Sequence, residues 1–369
     1  MAQAITLWLL LRGPIVRSRP WLRYVVLGAA ALSAVSLAVV FLLRFDRVLL
    51  RFPRAAVSWV QAIVMTWALL SLGWLAALAV SRWLMRAEKG HSGARRNFLR
   101  VARGLLFAAP AAVVGYGMFI QRLRMNLREQ EISIAGLPAD LDGLKIVQLT
   151  DIHMGPFLSV VELERAVEIA NETRPHIALV TGDLTSFKGD PLDDCLDRLK
   201  RLRADAGVFG CLGNHEIYTG SEDYVTFQGA LFGMRMLRQN NQVLRFGEAR
   251  LNLAGVDYQR KTEAYLQGAD KLIVPGAFNV LLSHNPDVFP VAAQQGFQFT
   301  IAGHTHGGQV RVEILRQDLN IARFFTPYVD GLYRRDNAAI FVSRGIGTIG
   351  IPARLGSPPE VALLRLRRA

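Results

Sequence analysis

Five of the seven histidines in this chain sit in short polar motifs between Asp151 and His306. The motifs read Asp151-Ile152-His153, Gly213-Asn214-His215-Glu216, Ser283-His284 and Gly303-His304-Thr305-His306, with Gly182-Asp183 between the first two. Imidazole, carboxylate and amide donors in that mixture suit Mn, Fe or Zn better than Mg or Ca. Two divalent ions held ~3.5–4 Å apart need a group that touches both, and a carboxylate has two oxygens to do so. Asp183 is the candidate bridge. Asp151 and His153 stand two residues apart, so on an extended segment their side chains point to the same side and can share one ion. His304 and His306 repeat the spacing inside a glycine-rich frame (Gly303, Gly307, Gly308), which predicts a tight loop where each histidine reaches a different ion. The chemistry implied is metal-assisted hydrolysis of a phosphate ester. Any one motif alone is weak; the ordered set is specific.

The elements that must position these residues alternate between strands and helices from about residue 131. Lys145 to Thr150 is a short apolar run that delivers Asp151, Val160 to Glu172 has helical spacing, and Ile177 to Thr181 ends at Gly182-Asp183. Val208 to Leu212 ends at Gly213-Asn214, Val280 to Leu282 at Ser283-His284, and Phe299 to Ala302 at Gly303-His304. A buried-type strand is thus followed at once by a ligand type five times over. Ligands at strand ends converge on one sheet edge, where α/β proteins place their sites.

The N-terminal third is of another kind. The chain has 369 residues, 51% of them hydrophobic, and carries a net charge of +13. Residues 21–43 and 55–81 are each long and apolar enough to cross a hydrocarbon core of ~30 Å, and 104–120, interrupted by Pro110, is the weakest of three candidate spans. A cleaved signal peptide is the competing reading of the first span; two further apolar runs and the lack of an obvious small-residue cleavage site disfavour it. Residues 1–120 therefore form an expected membrane region, 121–143 a linker with a first strand, and 144–369 the catalytic domain.

Of the 43 basic residues, 15 lie before residue 121 beside only two acids, Asp46 and Glu88; the remaining 28 basic and 28 acidic residues cancel. The positive charge belongs to the membrane flanks, and the neutral catalytic part lowers the expectation of a nucleic-acid partner, which would want a basic stripe there. Eleven basic residues flank the N-terminus and the 82–103 loop, against seven on the opposite side. With three spans that bias puts the N-terminus in the cytoplasm and the catalytic domain outside a multi-pass cell-membrane anchor. Cys195 and Cys211 could pair, but buried small apolar residues are the ordinary reading. His176 and His91 have no ligating neighbours and read as structural or solvated.

The motif set resembles the calcineurin-like metallophosphoesterase superfamily over about residues 143–369. Leu282-Ser283-His284-Asn285-Pro286-Asp287, Gly307-Gly308-Gln309 after the last histidine pair, and Ser343-Arg344-Gly345-Ile346-Gly347 are similar to its YkuE/YaeI-like branch, which includes transmembrane proteins with a metallophosphoesterase domain. The resemblance implies an α/β fold, a four-layer αββα sandwich, behind an α-helical transmembrane region. It implies one ion on Asp151, His153, Asp183 and His306, and another on Asp183, Asn214, His284 and His304. It makes His215 a catalytic residue that contacts the scissile phosphate, with Glu216, in place of the more usual aspartate, orienting His215. The ions would activate water for in-line attack on phosphorus. Arg344 is a candidate for substrate phosphate, an internal salt bridge being the ordinary alternative.

A catalytic domain close behind a membrane span favours a lipid-linked or cell-envelope phosphodiester or pyrophosphate, with membrane lipids as partners and Arg122, Arg124 and Arg128 available to anionic head groups. Relatives in the branch imply UDP-2,3-diacylglucosamine hydrolysis in lipid A biosynthesis as a more specific alternative. That substrate is cytoplasmic, which conflicts with the outside orientation. A non-catalytic membrane sensor that keeps the metal site is the rival from another class; the intact ligand set and His215 argue against it.

Overall fold

The structure is a computed structural model that describes residues 54–86, 93–314 and 317–369 and isolated helical positions between 21 and 34. Apart from those positions the expected span 21–43, like His91, lies outside the described residues. The chain divides into two compact units, one of residues 1–120 with 350–352 and one of residues 121–349 with 353–369.

Among the described residues the first unit contains two long helices, α1 (Arg54–Arg86) and α2 (Gly93–Phe119). Both are long and apolar enough to cross a membrane. α1 covers the expected span 55–81, but α2 begins eleven residues before the expected 104–120. The added turns carry Arg95, Arg96, Arg100 and Arg103, so basic residues head this helix before its apolar stretch begins. Pro110 lies inside α2 without ending it. Proline cannot donate to the preceding turn, and here Gly73 of α1 gives it room: a Cβ at Gly73 would come within 2.9 Å of the Pro110 ring. Trp74 Nε1 donates to the Phe107 carbonyl, 3.1 Å away, one turn earlier.

The second unit runs β1 (Asn126–Ile134), β2 (Lys145–Leu149), α3 (Val160–Glu172), β3 (Ile177–Val180), α4 (Leu192–Leu199), β4 (Val208–Gly210), α5 (Asn214–Thr219), α6 (Glu222–Leu231), β5 (Met234–Met236), β6 (Asn240–Phe246) and β7 (Ala249–Gly255). It continues with β8 (Phe278–Leu282), α7 (Phe289–Gln295), β9 (Phe299–Ala302), the hairpin β10 (Arg311–Ile314) and β11 (Gln317–Asn320), then β12 (Gly331–Arg335), β13 (Ala338–Val342) and β14 (Glu360–Arg368). One six-stranded sheet has the order β1-β14-β2-β3-β4-β5 and the other β12-β13-β9-β8-β7-β6. Neighbours β2, β3, β4 and β5 are parallel, as are β7, β8, β9 and β13.

Burial explains the layering. The mainly apolar strands β3, β8 and β9 are buried throughout, and β2 from Ile146 on, as parallel strands covered on both sides must be. Ile146, Leu179, Leu253, Val280, Phe299, Phe341 and Leu364 pack between the two sheets. The outer face of the first sheet meets Leu163, Ala166 and Ala170 of α3 and Leu196 and Leu199 of α4. The outer face of the second sheet meets Phe289 and Ala292 of α7. Helix, sheet, sheet, helix is the expected αββα order. The start of α3 is fixed by Ser159 and Glu162, which cap each other's backbone N–H groups.

A metal-type donor cluster at the strand ends

The five strand-end motifs meet where the C-terminal ends of the two sheets adjoin. Asp151 follows β2, Asp183 follows β3, Asn214 follows β4, His284 follows β8 and His304 follows β9. Gln148 ties the sheets together beneath them, its amide donating to Thr181 Oγ1 at 2.8 Å and to the Ala302 carbonyl at 3.0 Å.

The donors form overlapping triads: Asp151, His153 and His306; Asp183, His284 and His304; and His153, Asp183 and His215. Within each, the candidate atoms all lie within 4.8 Å of one another. Asp183 stands between the first two, its Oδ2 3.5 Å from His153 Nε2 and 3.0 Å from His284 Nε2. That is the position a bridging carboxylate needs. Among the cluster's own donors, two buried polar atoms have no hydrogen-bond partner: Asn214 Oδ1, and His284 Nε2, which has ion-pair distance to Asp183 without hydrogen-bond geometry. An orphaned buried acceptor costs about 1–3 kcal/mol, and a cation beside Asn214 Oδ1 would remove that cost. Donor set and orphans thus fit divalent metal ions.

The local backbone departs from one expectation. Asp151 and His153 do not lie on an extended segment; their φ values are +51° and +48°. Asp183 (+57°), His304 (+75°) and His306 (+53°) are also left-handed. Such conformations cost non-glycine residues roughly 1–3 kcal/mol each and persist where surroundings over-determine them. Here the surroundings are backbone hydrogen bonds, His153 N to Asp183 O at 3.0 Å and Asp151 N to Gly182 O at 3.1 Å. The expected tight loop around His304 and His306 is present. Gly303 is required by proximity: a Cβ there would collide with the Asp151 carboxylate and come 3.0 Å from Thr150 Cγ2.

Electrostatics prepare most of the donors. Burial pulls His153 down to about 3 and His304 to about 4, and holds His306 well below the ordinary range, so these rings are neutral with lone pairs available at pH 7. Burial raises Asp183, but His284 and its other histidine neighbours more than offset it and hold it well below the usual carboxylate range. Burial lifts Asp151 to about 6. Burial lowers His284, yet Asp183 and Asp151 overcome this and push it up to about 10 in the metal-free chain.

Second contacts orient the rings. His284 Nδ1 donates to the Thr181 carbonyl at 2.7 Å and His215 Nδ1 to the Ser186 carbonyl at 2.7 Å, while His153 Nδ1 meets Ser186 Oγ at 2.9 Å. With its Nδ1 so engaged, His215 has Nε2 left for a substrate, and its ring stands edge-on to His153 at 4.8 Å.

Glu216 does not orient His215. Its buried carboxylate accepts from Asp183 N at 2.9 Å, Leu184 N at 2.8 Å and Gly213 N at 2.7 Å. It clamps the loop bearing Asp183 to the start of α5, and the Ser186 carbonyl takes the orienting role instead. Burial raises its pKa, as does Asp183. Arg344 is likewise engaged internally, its Nε and Nη2 each 2.9 Å from Asp330 Oδ2. Of the basic residues expected to face head groups, Arg128 pairs with Glu360 at 3.3 Å and Arg122 with Glu162 at 3.8 Å. Cys195 and Cys211 are free and buried, burial raising both thiols above the ordinary range. Cys195 lies on α4 and Cys211 just past β4. His176 is structural: its Nδ1 accepts from Lys145 N at 2.9 Å.

Sequence reasoning missed two neighbours of the cluster. Tyr258 sets its ring 5.4 Å from that of His304, and Tyr218, 66% exposed, stands 5.4 Å from His215. Tyr218 follows the histidine by three residues on α5, a helical spacing that could have revealed it; nothing local marks Tyr258.

The sequence profile described as calcineurin-like phosphoesterase matches residues 144–308. An uncharacterized metallophosphoesterase of Helicobacter pylori is 30% identical over 322 residues, covering 85% of this chain and 81% of that protein. A transmembrane protein with metallophosphoesterase domain from Danio rerio is 29% identical over 289 residues, 74% of this chain; the match spans 64% of the zebrafish protein's length. The uncharacterized metallophosphoesterase YkuE of Bacillus subtilis is 24% identical over 281 residues, covering 74% of this chain and 97% of that protein.

Proposed function

This chain belongs to the calcineurin-like metallophosphoesterase family, a family of metal-dependent phosphoric ester hydrolases, and from that premise we propose that it is a membrane-anchored enzyme cleaving a phosphodiester or pyrophosphate bond in a lipid-linked or cell-envelope substrate. The observation that carries the hydrolytic reading is the placement of Asp183 between two donor triads, with Asn214 Oδ1 buried and unpartnered beside it. Asp151, His153, Asp183 and His306 would hold one ion, and Asp183, Asn214, His284 and His304 the other. Mn, Fe or Zn suits that donor set. Bound there, two divalent ions would lower the pKa of water towards ~7 and neutralise charge on the phosphoryl oxygens.

The chain's own groups supply the rest. His215, pinned at Nδ1 by Ser186, presents Nε2 to donate a proton to the leaving oxygen. Glu216 and the left-handed turns fix the donors before substrate arrives, so little reorganisation is left to the reaction. α1 and α2 support membrane anchoring, and anchoring supports a substrate at the bilayer surface. The basic residues between and at the head of these helices favour the cytoplasm for that loop, with the catalytic domain on the outer side. No feature of the site singles out UDP-2,3-diacylglucosamine, which therefore serves as a test compound. The complete donor set and His215 favour an enzyme over a sensor, and the near-neutral catalytic domain disfavours a nucleic-acid substrate.

The test is hydrolysis of an aryl phosphodiester and of UDP-2,3-diacylglucosamine by detergent-purified protein, metal-stripped and then restored with Mn²⁺, beside Asp183→Ala. Metal-dependent turnover abolished by the substitution is expected. Metal binding without turnover of either compound would shift the reading towards the sensor.

A further inference from the structure

Two tyrosines border the donor cluster, and the chemistry above uses neither. Tyr218 sets its ring 5.4 Å from that of His215, at 67°. Tyr258 sets its ring 5.4 Å from that of His304, at 55°, and 6.1 Å from that of His284. They stand at different ends of the cluster, because His215 groups with His153 and Asp183, whereas His284 and His304 form the other triad with Asp183. They are also close to each other. Burial first, and then Tyr218 and Asp183, push the Tyr258 hydroxyl up, so the two phenols and the candidate bridging carboxylate are neighbours.

Both rings are held from behind. Tyr258 lies between Asp257, which accepts from Arg238 Nε at 3.0 Å, and Gln259, whose carbonyl accepts from Asn285 Nδ2 at 2.7 Å and whose side-chain oxygen accepts from Leu266 N at 3.0 Å. Tyr218 rides on α5, whose first turn Glu216 ties to the Asp183 loop and whose end is set by left-handed Gly220. Tyr224 donates its hydroxyl to Asp193 at 2.6 Å, and the Tyr333 hydroxyl accepts from Val329 N at 3.0 Å. Among the described residues the Tyr218 and Tyr258 hydroxyls have no such partner. A tyrosine 66% exposed beside a polar centre, as Tyr218 is, adds little to the core. Its apolar face and polar tip suit a ligand that is apolar on one side and wet on the other.

We propose that Tyr218 and Tyr258 are specificity-determining residues, an aromatic bracket that receives a ring carried on the phosphate, flat or sugar-like, so that ring-bearing phosphodiesters are preferred to simple alkyl ones. A phosphoryl group held at the cluster carries its substituent out past these two side chains. A ring there packs offset or edge-on against a phenol at centroid distances of roughly 4.5–7 Å, and the phenol hydroxyls are left to donate to oxygens on the substituent. A methyl group offers neither contact. The inference deepens the hydrolytic reading above and rests on it.

The experiment uses full-length protein in detergent at saturating Mn²⁺ and three diesters that release the same p-nitrophenolate while keeping a phenyl, cyclohexyl or methyl group on the phosphate. Each kcat/KM is divided by the uncatalysed rate of that diester. Phenyl should then exceed methyl by about tenfold, the worth of a well-packed aromatic contact. Tyr218→Ala and Tyr258→Ala should each cut that ratio by about threefold or more, and Tyr218→Phe and Tyr258→Phe, which keep the ring, should retain most of it. A general defect in folding or metal binding lowers both diesters alike, so the ratio separates substrate contact from a merely structural role. A cyclohexyl ester that follows phenyl assigns a sugar-like ring, and one that follows methyl assigns a flat ring; both uphold the bracket. A wild-type ratio near one, which decides even where a variant does not fold, or a ratio that survives either alanine substitution, overturns the bracket and leaves hydrolysis standing. No turnover of any diester overturns the hydrolytic reading and the bracket with it.

Discussion

Glu216→Gln distinguishes a clamp from an orienting catalytic partner. The carboxylate accepts three backbone N–H groups, two at Oε2 from Asp183 and Gly213 and one at Oε1 from Leu184. Glutamine can turn its carbonyl oxygen to keep the pair at Oε2, which leaves its NH₂ facing Leu184 N–H, a donor against a donor. A charge-assisted hydrogen bond is worth about 1.5–3 kcal/mol, and the stranded buried donor adds about 1–3. Part of this is returned because the carboxylate is itself strained: burial and then Asp183 raise its pKa. A net loss of about 2–4 kcal/mol follows from these terms. Asp183 then loses one side of its support, and disturbed outer contacts typically cost metal sites about 10–100-fold in affinity. The assay pairs thermal unfolding of the metal-stripped protein with Mn²⁺ titration and turnover at saturating Mn²⁺, where much of the wild-type rate should return. Unchanged stability and Mn²⁺ affinity, with turnover as low as in His215→Ala, would refute the clamp and restore Glu216 as the partner of His215.

His215→Ala should keep both ions in elemental analysis and lower turnover by about 10²–10⁴-fold, the usual worth of a general acid; unaltered turnover would remove His215 from the chemistry. Gly213→Ala should lose metal and stability together, by about 1–3 kcal/mol or more as an overpacked site does, because a Cβ would lie 2.7 Å from Asp183 N and collide with its carboxylate; a variant as stable as wild type would mean the loop moves freely. In the metal-free protein His284 sits at about 10 against an ordinary 6.5. Its stabilisation is therefore complete below pH 6.5 and lost as pH rises through 10. The melting temperature of the metal-free form should fall across that window, and Mn²⁺ binding at pH 8 should release a proton, read by calorimetry in buffers of different ionisation enthalpy; a flat melting profile with no proton release contradicts both.

The sequence by itself determined the donors and their order. Short apolar runs in β2, β3, β8 and β9 read as buried strands, and a ligand-type residue stood within three positions of the end of each, so convergence on one sheet edge was legible from the sequence. The helix Val160–Glu172 was legible from its spacing, and the Ser159–Glu162 capping box is what fixes its start in the structure. Short β4 ended two residues earlier than its apolar run; Cys211 and Leu212 are buried beyond its end, Cys211 N still donating to the Val180 carbonyl of β3 at 3.1 Å. The start of α2 was not legible either, as a window of hydropathy stops at the arginines that a helix can carry.

What the tertiary structure alone decided was which partner each polar group takes. Spacing suggested an extended Asp151-Ile152-His153, but cross-strand hydrogen bonds to the Asp183 loop hold both residues left-handed. The family resemblance suggested Glu216 for His215, whereas its carboxylate reaches the backbone of residues 183 and 184, more than thirty positions away in the chain. For Arg344 the structure supplies the partner of the ordinary salt-bridge reading, Asp330, and Arg354, near no motif, proved to be buried against His306. The reason is physical: residue types and periodicity fix which groups must be buried or can ligate, whereas the partner of a buried charge depends on long-range packing that brings distant backbone within about 3 Å.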